Sequence, residues 1–193
     1  MNTEFVKQLR DVTGASVMDC RNALEESNND IEKAKEILKK KGQAKAVKKE
    51  GRETKSGLIE SYVHTSGKIG VLLNLRCETD FVAKNNLFKE LAHEICLQIA
   101  AMSPEYISES DIPAEIIEKD RAEFKEEVKN SGKPQNILDQ IIDGKMQKKF
   151  SEICLLNQAY IKNPDETVNN LIKGYIAKIG ENIKVERFSR LEI

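Results

Sequence analysis

Along this chain apolar residues recur at helical spacing in most stretches and alternate singly in the rest. Phe5, Val6, Leu9 and Val12 form one helical stripe that Thr13-Gly14 interrupts. Val17, Met18, Cys20 and Leu24 form a second after Ser16, and Asn28-Asn29-Asp30 punctuates again. Asp30 is placed to cap a third helix whose Ile31, Ala34, Ile37 and Leu38 share one face, and Gly42 is expected to end it. Then the period changes. Leu58–Thr65 and Ile69–Arg76 read as a hairpin joined through Ser66-Gly67-Lys68, with Ile69, Val71, Leu73 and Leu75 alternating on one face. Leu87, Leu91, Ile95 and Ile99, flanked by Phe88 and Ala92, make an apolar helical stripe that is satisfied only by lying across that sheet.

Beyond Ser103-Pro104 the stripes thin out. Ile117, Phe124 and Val128 sit in a heavily charged background, Ser131-Gly132-Lys133-Pro134 reads as a turn, and Ile137, Ile141 and Met146 follow. Residues 113–149 therefore read as an antiparallel helical hairpin, its sparse stripes suiting a projecting arm. Val168, Leu171, Ile172, Tyr175, Ile176 and Ile179 restore a strong helical face closed by Gly180. Ile183–Ile193 reads as a last strand, with a phase shift between Val185 and Phe188 that suggests a bulge. The pattern predicts an α+β chain: a three-helix bundle over 1–42, a linker over 43–57, and an antiparallel-sheet core with packed helices and the hairpin over 58–193.

Charge narrows the function classes. One third of the 193 residues are charged, but 31 Lys and Arg against 32 Asp and Glu leave a net charge of −1, with no global basic field for nucleic acid. The local exception is Lys39–Lys55, with eight Lys or Arg, which reads as a solvated tether. A ribosome- or RNA-associated adaptor would use that run, although it lacks interleaved aromatics for base stacking. Cys20, Cys77, Cys96 and Cys154 are 57, 19 and 58 residues apart, with no Cys-x-x-Cys pair and only His64 and His93 as further soft ligands. That spacing argues against a zinc site and for small reduced core residues in a reducing cytosol. No stretch approaches 18 consecutive apolar residues and the N-terminus carries no leader pattern, so the expectation is a cytoplasmic protein with no membrane span.

Chemistry is sparse. There is no nucleophile elbow, Gly-x-Gly-x-x-Gly fingerprint or Walker-type phosphate loop, so no direct nucleotide binding, cofactor or catalytic group is expected. His64 has no nucleophile or carboxylate fixed beside it by spacing, which weighs against a hydrolase. One short run stands out: Thr79-Asp80-Phe81-Val82-Ala83-Lys84-Asn85, between the alternating strand and the long stripe. Thr79 or Asp80 can accept a hydrogen bond from the first free helical N–H groups, and Phe81 follows at a position compatible with burial or protrusion.

That run resembles the Thr-Asp-Phe-Val-Ala-Lys signature of the elongation factor Ts family. The resemblance also covers Val6-Lys7-Gln8-Leu9-Arg10, Thr13-Gly14-Ala15 and Met18-Asp19-Cys20, then Cys77 to Asn85, and Lys178-Ile179-Gly180-Glu181-Asn182-Ile183. It implies a ubiquitin-associated-like fold for the N-terminal bundle. It also implies a non-enzymatic role in translation, as guanine-nucleotide exchange factor for GDP-bound elongation factor Tu. On this resemblance Thr79, Asp80, Phe81 and Val82 would wedge into the partner GTPase near its magnesium and phosphate site. Lys7, Arg10, Val17 and Met18 would grip it, with Val17 standing where many family members have methionine, and His64, Ile179 and Gly180 would look towards the same partner. Each of these positions is also explicable by core packing. One sheet core where longer members have two implies a homodimer with two partners bound, its pairing resting on packing, since Ser189 in the last strand offers no thiol there.

Overall fold

The computed structural model describes residues 3–129 and 134–193, and the chain divides into two compact units. The first contains Met1–Glu60, Leu73–His93 and Asn170–Glu186; the second contains Ser61–Leu72, Glu94–Asn169 and Arg187–Ile193. Helices and antiparallel strands alternate as an α+β chain, and among the described residues no helix is long and apolar enough to cross a membrane.

The first unit begins with α1 (Thr3–Thr13), α2 (Val17–Glu26) and α3 (Ile31–Val47). Their starts follow local chemistry. Ser16 Oγ accepts from the Asp19 N–H and Asp30 Oδ1 from the Lys33 N–H, each satisfying an orphan donor of the first turn. Asn28 and Asn29 adopt left-handed backbone, which asparagine tolerates better than most residues, and so reverse the chain within two positions. Leu9, Cys20, Ala23, Leu24, Ala34 and Leu38 form a small core with Phe5, Val6, Ala15, Ile31 and Ile37 packed around it.

Gly42 does not end the third helix, which continues to Val47. The glycine serves a close approach instead. A Cβ built there would lie 3.2 Å from the Ala177 Cβ on α8 (Val168–Ile179), so the two helices meet where one of them has no side chain. In place of the solvated tether expected over 43–57, Ala46 is fully buried and the turns after Val47 are tied down. Asn182 Nδ2 donates to the carbonyls of Glu50 (3.2 Å) and Arg52 (2.8 Å), Lys173 pairs with Glu50 at 3.1 Å, and Lys49 donates to the Gly180 carbonyl. Lysine-rich composition reads as solvated because it is blind to backbone carbonyls reached from 130 residues away.

β1 (Ser56–Val63), β2 (Ile69–Cys77) and β5 (Ile183–Glu192) form a three-stranded sheet in the order β1-β2-β5. The β1–β2 turn closes through the His64 N–H on the Ile69 carbonyl, and the Ile193 N–H reaches the Lys68 carbonyl, fixing β5 antiparallel to β2. Val71, Leu73, Leu75 and Cys77 are buried in alternation. In β5, Ile183 and Val185 are buried but the half-buried positions then move to Phe188 and Arg190, a parity change at the phase shift seen in the sequence. After α4 (Asp80–Ala83), α5 (Asn86–Met102) buries Phe88, Leu91, Ala92, Ile95, Cys96 and Ile99, while Leu87 lies on its exposed side.

In the second unit, α6 (Ala114–Val128) and α7 (Gln135–Ile153) run antiparallel. The Ser131–Lys133 part of the expected turn lies outside the described residues; Pro134 stands at the start of α7. The thin stripes suffice for a core of their own: Val128, Ile142, Met146 and Phe150 are buried with Ile112 and Cys154, and Phe124, Ile117 and Ile141 pack around them. Asp120 is also buried, and Lys149 neutralises it at 2.5 Å. A short ribbon of β3 (Ala159–Tyr160) and β4 (Asn163–Thr167), which hydropathy does not signal, is fastened by fully buried Gln98 and Gln158. Gln98 Nε2 donates to Gln158 Oε1 at 3.1 Å and its Oε1 accepts from the Ile161 N–H at 2.9 Å. All four cysteines are buried and none is in a disulfide.

Candidate functional site

β2 ends at Cys77, and three residues later the chain makes a single helical turn, α4. Thr79 is the cap: its Oγ1 accepts from the Val82 N–H at 3.4 Å, leaving Asp80 at the first helical position, where a carboxylate suits the positive end of the turn. Of the consecutive apolar residues Phe81, Val82 and Ala83, a turn this short can direct only part inward. Val82 (5% exposed) and Ala83 are buried, and Phe81 is left 83% exposed. The ring thus keeps most of its apolar surface in solvent, where it is open to a partner, as do Val63 and Leu191 elsewhere in the chain.

The turn is fastened from the far end of the chain. The Thr79 N–H donates to Glu181 Oε2 at 3.0 Å and its hydroxyl to Glu181 Oε1 at 2.7 Å. The reverse contact exists too: the Asn182 N–H donates to Glu78 Oε1 at 2.6 Å. Two carboxylates thus hold each other's backbone, Glu181 gripping the 78–79 segment and Glu78 gripping the 181–182 segment. Gly180, with φ +90°, makes the sharp exit from α8 that delivers Glu181, a conformation side chains rarely adopt. Its N–H closes α8 on the Ile176 carbonyl, and Arg52 adds an ion pair to Glu78 at 3.5 Å.

The buried Cys77 thiol lies beside these carboxylates. Burial first, then the Glu181 carboxylate, push this thiol up to about 11, so it stays protonated and donates to the Thr79 carbonyl at 3.2 Å. Among the described residues no group of three or more Cys, His, Asp and Glu is arranged to hold a metal ion.

The other positions singled out in the sequence are distributed as follows. Lys7 and Arg10 are exposed on α1, and Val17 and Met18 are exposed at the start of α2, 51% and 60% respectively, outside the core that Cys20 and Leu24 enter. Ile179 is half-buried and Gly180 exposed. Gly14, at the α1–α2 turn, lies against the aliphatic stem of Lys178, so the end of α8 touches the N-terminal bundle, the basic segment and the α4 cap within five residues. His64 is exposed at the end of β1 with its Nδ1 2.9 Å from the Tyr62 hydroxyl; no nucleophile or carboxylate accompanies it in that contact.

Comparison with known proteins settles the lineage. A family model described as elongation factor TS matches residues 2–175. The chain belongs to the elongation factor Ts family. Elongation factor Ts of Fervidobacterium nodosum is 53% identical over 193 residues, covering 100% of this chain and 98% of that protein. Those of Carboxydothermus hydrogenoformans and Thermotoga sp. (strain RQ2) are each 51% identical over 193 residues, covering all of this chain and 89% and 96% of the respective relative. The sequence singles out the Phe81 run and offers Thr79 or Asp80 as its cap, of which the structure selects Thr79, but it does not mark Glu78, Glu181 and Asn182 as site residues. The available signal was a polar Glu-Asn pair directly after a helix-ending glycine.

Proposed function

We propose that this chain is a guanine-nucleotide exchange factor that binds GDP-bound elongation factor Tu and speeds release of its nucleotide. The observation that carries the reading is the 83% exposed Phe81 ring on a capped, fastened turn, in a chain of the elongation factor Ts family. Thr79 and Asp80 present the ring, Val82 anchors it, and the ring intrudes between helices of the partner. Magnesium demands near-ideal octahedral geometry, so a displacement of about an ångström in its ligands is enough to loosen it, and its loss leaves the phosphates unscreened. The chain itself carries out no bond chemistry.

Exchange is reciprocal: if the factor weakens GDP binding, GDP weakens the factor's binding equally. An acceleration of about 10⁴ corresponds to roughly 5.5 kcal/mol of preference for the opened state, more than one ring supplies. The exposed Lys7, Arg10, Val17 and Met18 serve as the second contact region, and His64, Ile179 and Gly180 as further ones. Lys41 and Lys45 of the basic run are engaged by Glu26 and Asp19, which favours this reading over an RNA adaptor.

The free protein pairs with itself and takes up two partners. Val63, Leu72 and Leu191 support this, being large apolar strand residues left more than half exposed. The test of function is the release rate of a fluorescent GDP analogue from purified elongation factor Tu with and without the chain; unchanged release refutes it. Sedimentation as a monomer at micromolar concentration refutes the pairing.

A further inference from the structure

We propose that Glu181 is the positioning residue for the Phe81 wedge, acting through Thr79 and making no contact of its own with the GTPase. The inference rests on the exchange reading above and concerns how a ring with almost no packing of its own is held in one direction.

A group that displaces a neighbour must be stiffer than what it displaces. Phe81 gains little stiffness from its surroundings, since it is almost fully exposed, and its turn is one turn long, too short for a cooperative ladder of helical hydrogen bonds. The direction of the ring is therefore set by what lies on either side. On one side Val82 and Ala83 are buried. On the other side the only cap is Thr79, whose hydroxyl has to face two ways: its oxygen accepts from Val82 and its proton needs an acceptor elsewhere.

Glu181 is that acceptor. By taking the hydroxyl proton at 2.7 Å it turns the Thr79 oxygen lone pairs towards the Val82 N–H, and by taking the Thr79 N–H at 3.0 Å it pins the backbone one residue before the turn begins. Both bonds go to a carboxylate, the stronger class of acceptor. Glu181 is half-buried and is itself fixed, because Gly180 sets its backbone and the next residue, Asn182, is buried with its N–H on Glu78 and its amide on two carbonyls. Thr79 to Asn182 thus forms a closed clasp from the cap of α4 to the exit of α8.

The test is a double-mutant cycle on stimulated GDP release from elongation factor Tu, using wild type, Glu181→Ala, Phe81→Ala and the double variant, with thermal melts of each. Loss of the clasp is expected to lower stimulated release about tenfold, the scale of one charge-assisted hydrogen bond. In the Phe81→Ala background the same change is expected to have no further effect, because a mount without a wedge does nothing. Glu181→Gln, which keeps one acceptor oxygen, is expected to recover part of the loss. Amide hydrogen exchange over residues 79–83 is expected to quicken in Glu181→Ala. Additive losses in the cycle, unaltered release by Glu181→Ala, or unaltered amide exchange would each overturn the proposal. If wild type itself leaves release unchanged, the exchange reading falls and the proposal with it; stimulation by wild type with an additive cycle sinks the proposal alone.

Discussion

Replacing Phe81 by alanine separates presentation from packing, because the structure sets opposite expectations for two adjacent residues. Full burial of a phenylalanine side chain is worth about 1.5–3 kcal/mol. With 83% of Phe81 exposed in the free protein, about 1.2–2.5 kcal/mol of that remains to be gained on a partner. If the ring is buried only against the opened GTPase, Phe81→Ala removes that amount from the exchange transition state, a fall of about 8- to 70-fold in stimulated GDP release at 1.36 kcal/mol per tenfold. Its thermal unfolding should stay put, within about 0.5 kcal/mol, as for any surface substitution. The adjacent Val82, 5% exposed, should behave the other way: Val82→Ala opens a cavity costing about 1–3 kcal/mol, several degrees of Tm for a chain of this size. Stopped-flow release with a fluorescent GDP analogue, alongside calorimetry of both variants, reads both quantities. A Phe81→Ala variant that melts about as early as Val82→Ala, or that exchanges at the wild-type rate, refutes the reasoning.

Two further outcomes test the packing. Gly42→Val places a branched side chain where even a Cβ meets Ala177 at 3.2 Å, so unfolding by calorimetry should show a loss of about 1–3 kcal/mol, whereas Gly42→Ala, whose gain in helix propensity offsets a tight contact, should be near neutral; a stable Gly42→Val would mean that α3 and α8 separate freely. Burial holds the Cys77 and Cys154 thiols at about 11 against an ordinary value of 9.0, so the folded chain keeps two protons that the unfolded chain releases. Their stabilisation is complete below pH 9 and is lost as the pH rises through 11; urea melts between pH 8 and 11 should fall more steeply for wild type than for a Cys77→Ala, Cys154→Ala double variant, and parallel profiles would rule this out.

How far the sequence reveals the fold depends on how local the deciding contact is. Asp30 is legible as a cap, and Thr79 as one of two candidates with Asp80, because a cap is a three-residue event. Ser16, which the pattern marks only as the residue before a helix, caps in the same way, and Gly180 is legible as a helix end because the positive-φ exit and the hydropathy break coincide. Gly42 carried the same letter and meant something else, since what decides between a stop and a close approach is Ala177, 135 positions away. The β3–β4 ribbon gave no alternation to read: it is held by the amides of Gln98 and Gln158, and buried amides carry no hydrophobic signal.

The same distinction runs through the site. Periodicity could not choose between a buried and a protruding Phe81, because a four-residue helix has no stripe, and three consecutive apolar residues fit either orientation. The choice is made by the clasp that orients the turn, and its partners, Thr79 with Glu181 and Glu78 with Asn182, are more than 100 residues apart. A ring is cheap to place in a sequence and hard to aim; aiming it needs a rigid frame on both sides of a very short helix. In this chain that frame is drawn from the exit of the last helix, which also touches the N-terminal bundle at Gly14 and the basic segment at Lys49. The presented ring and the exposed face of the bundle are therefore referred to one junction, residues 178–182, so that contacts shared between two regions of a partner would act on it from a common base.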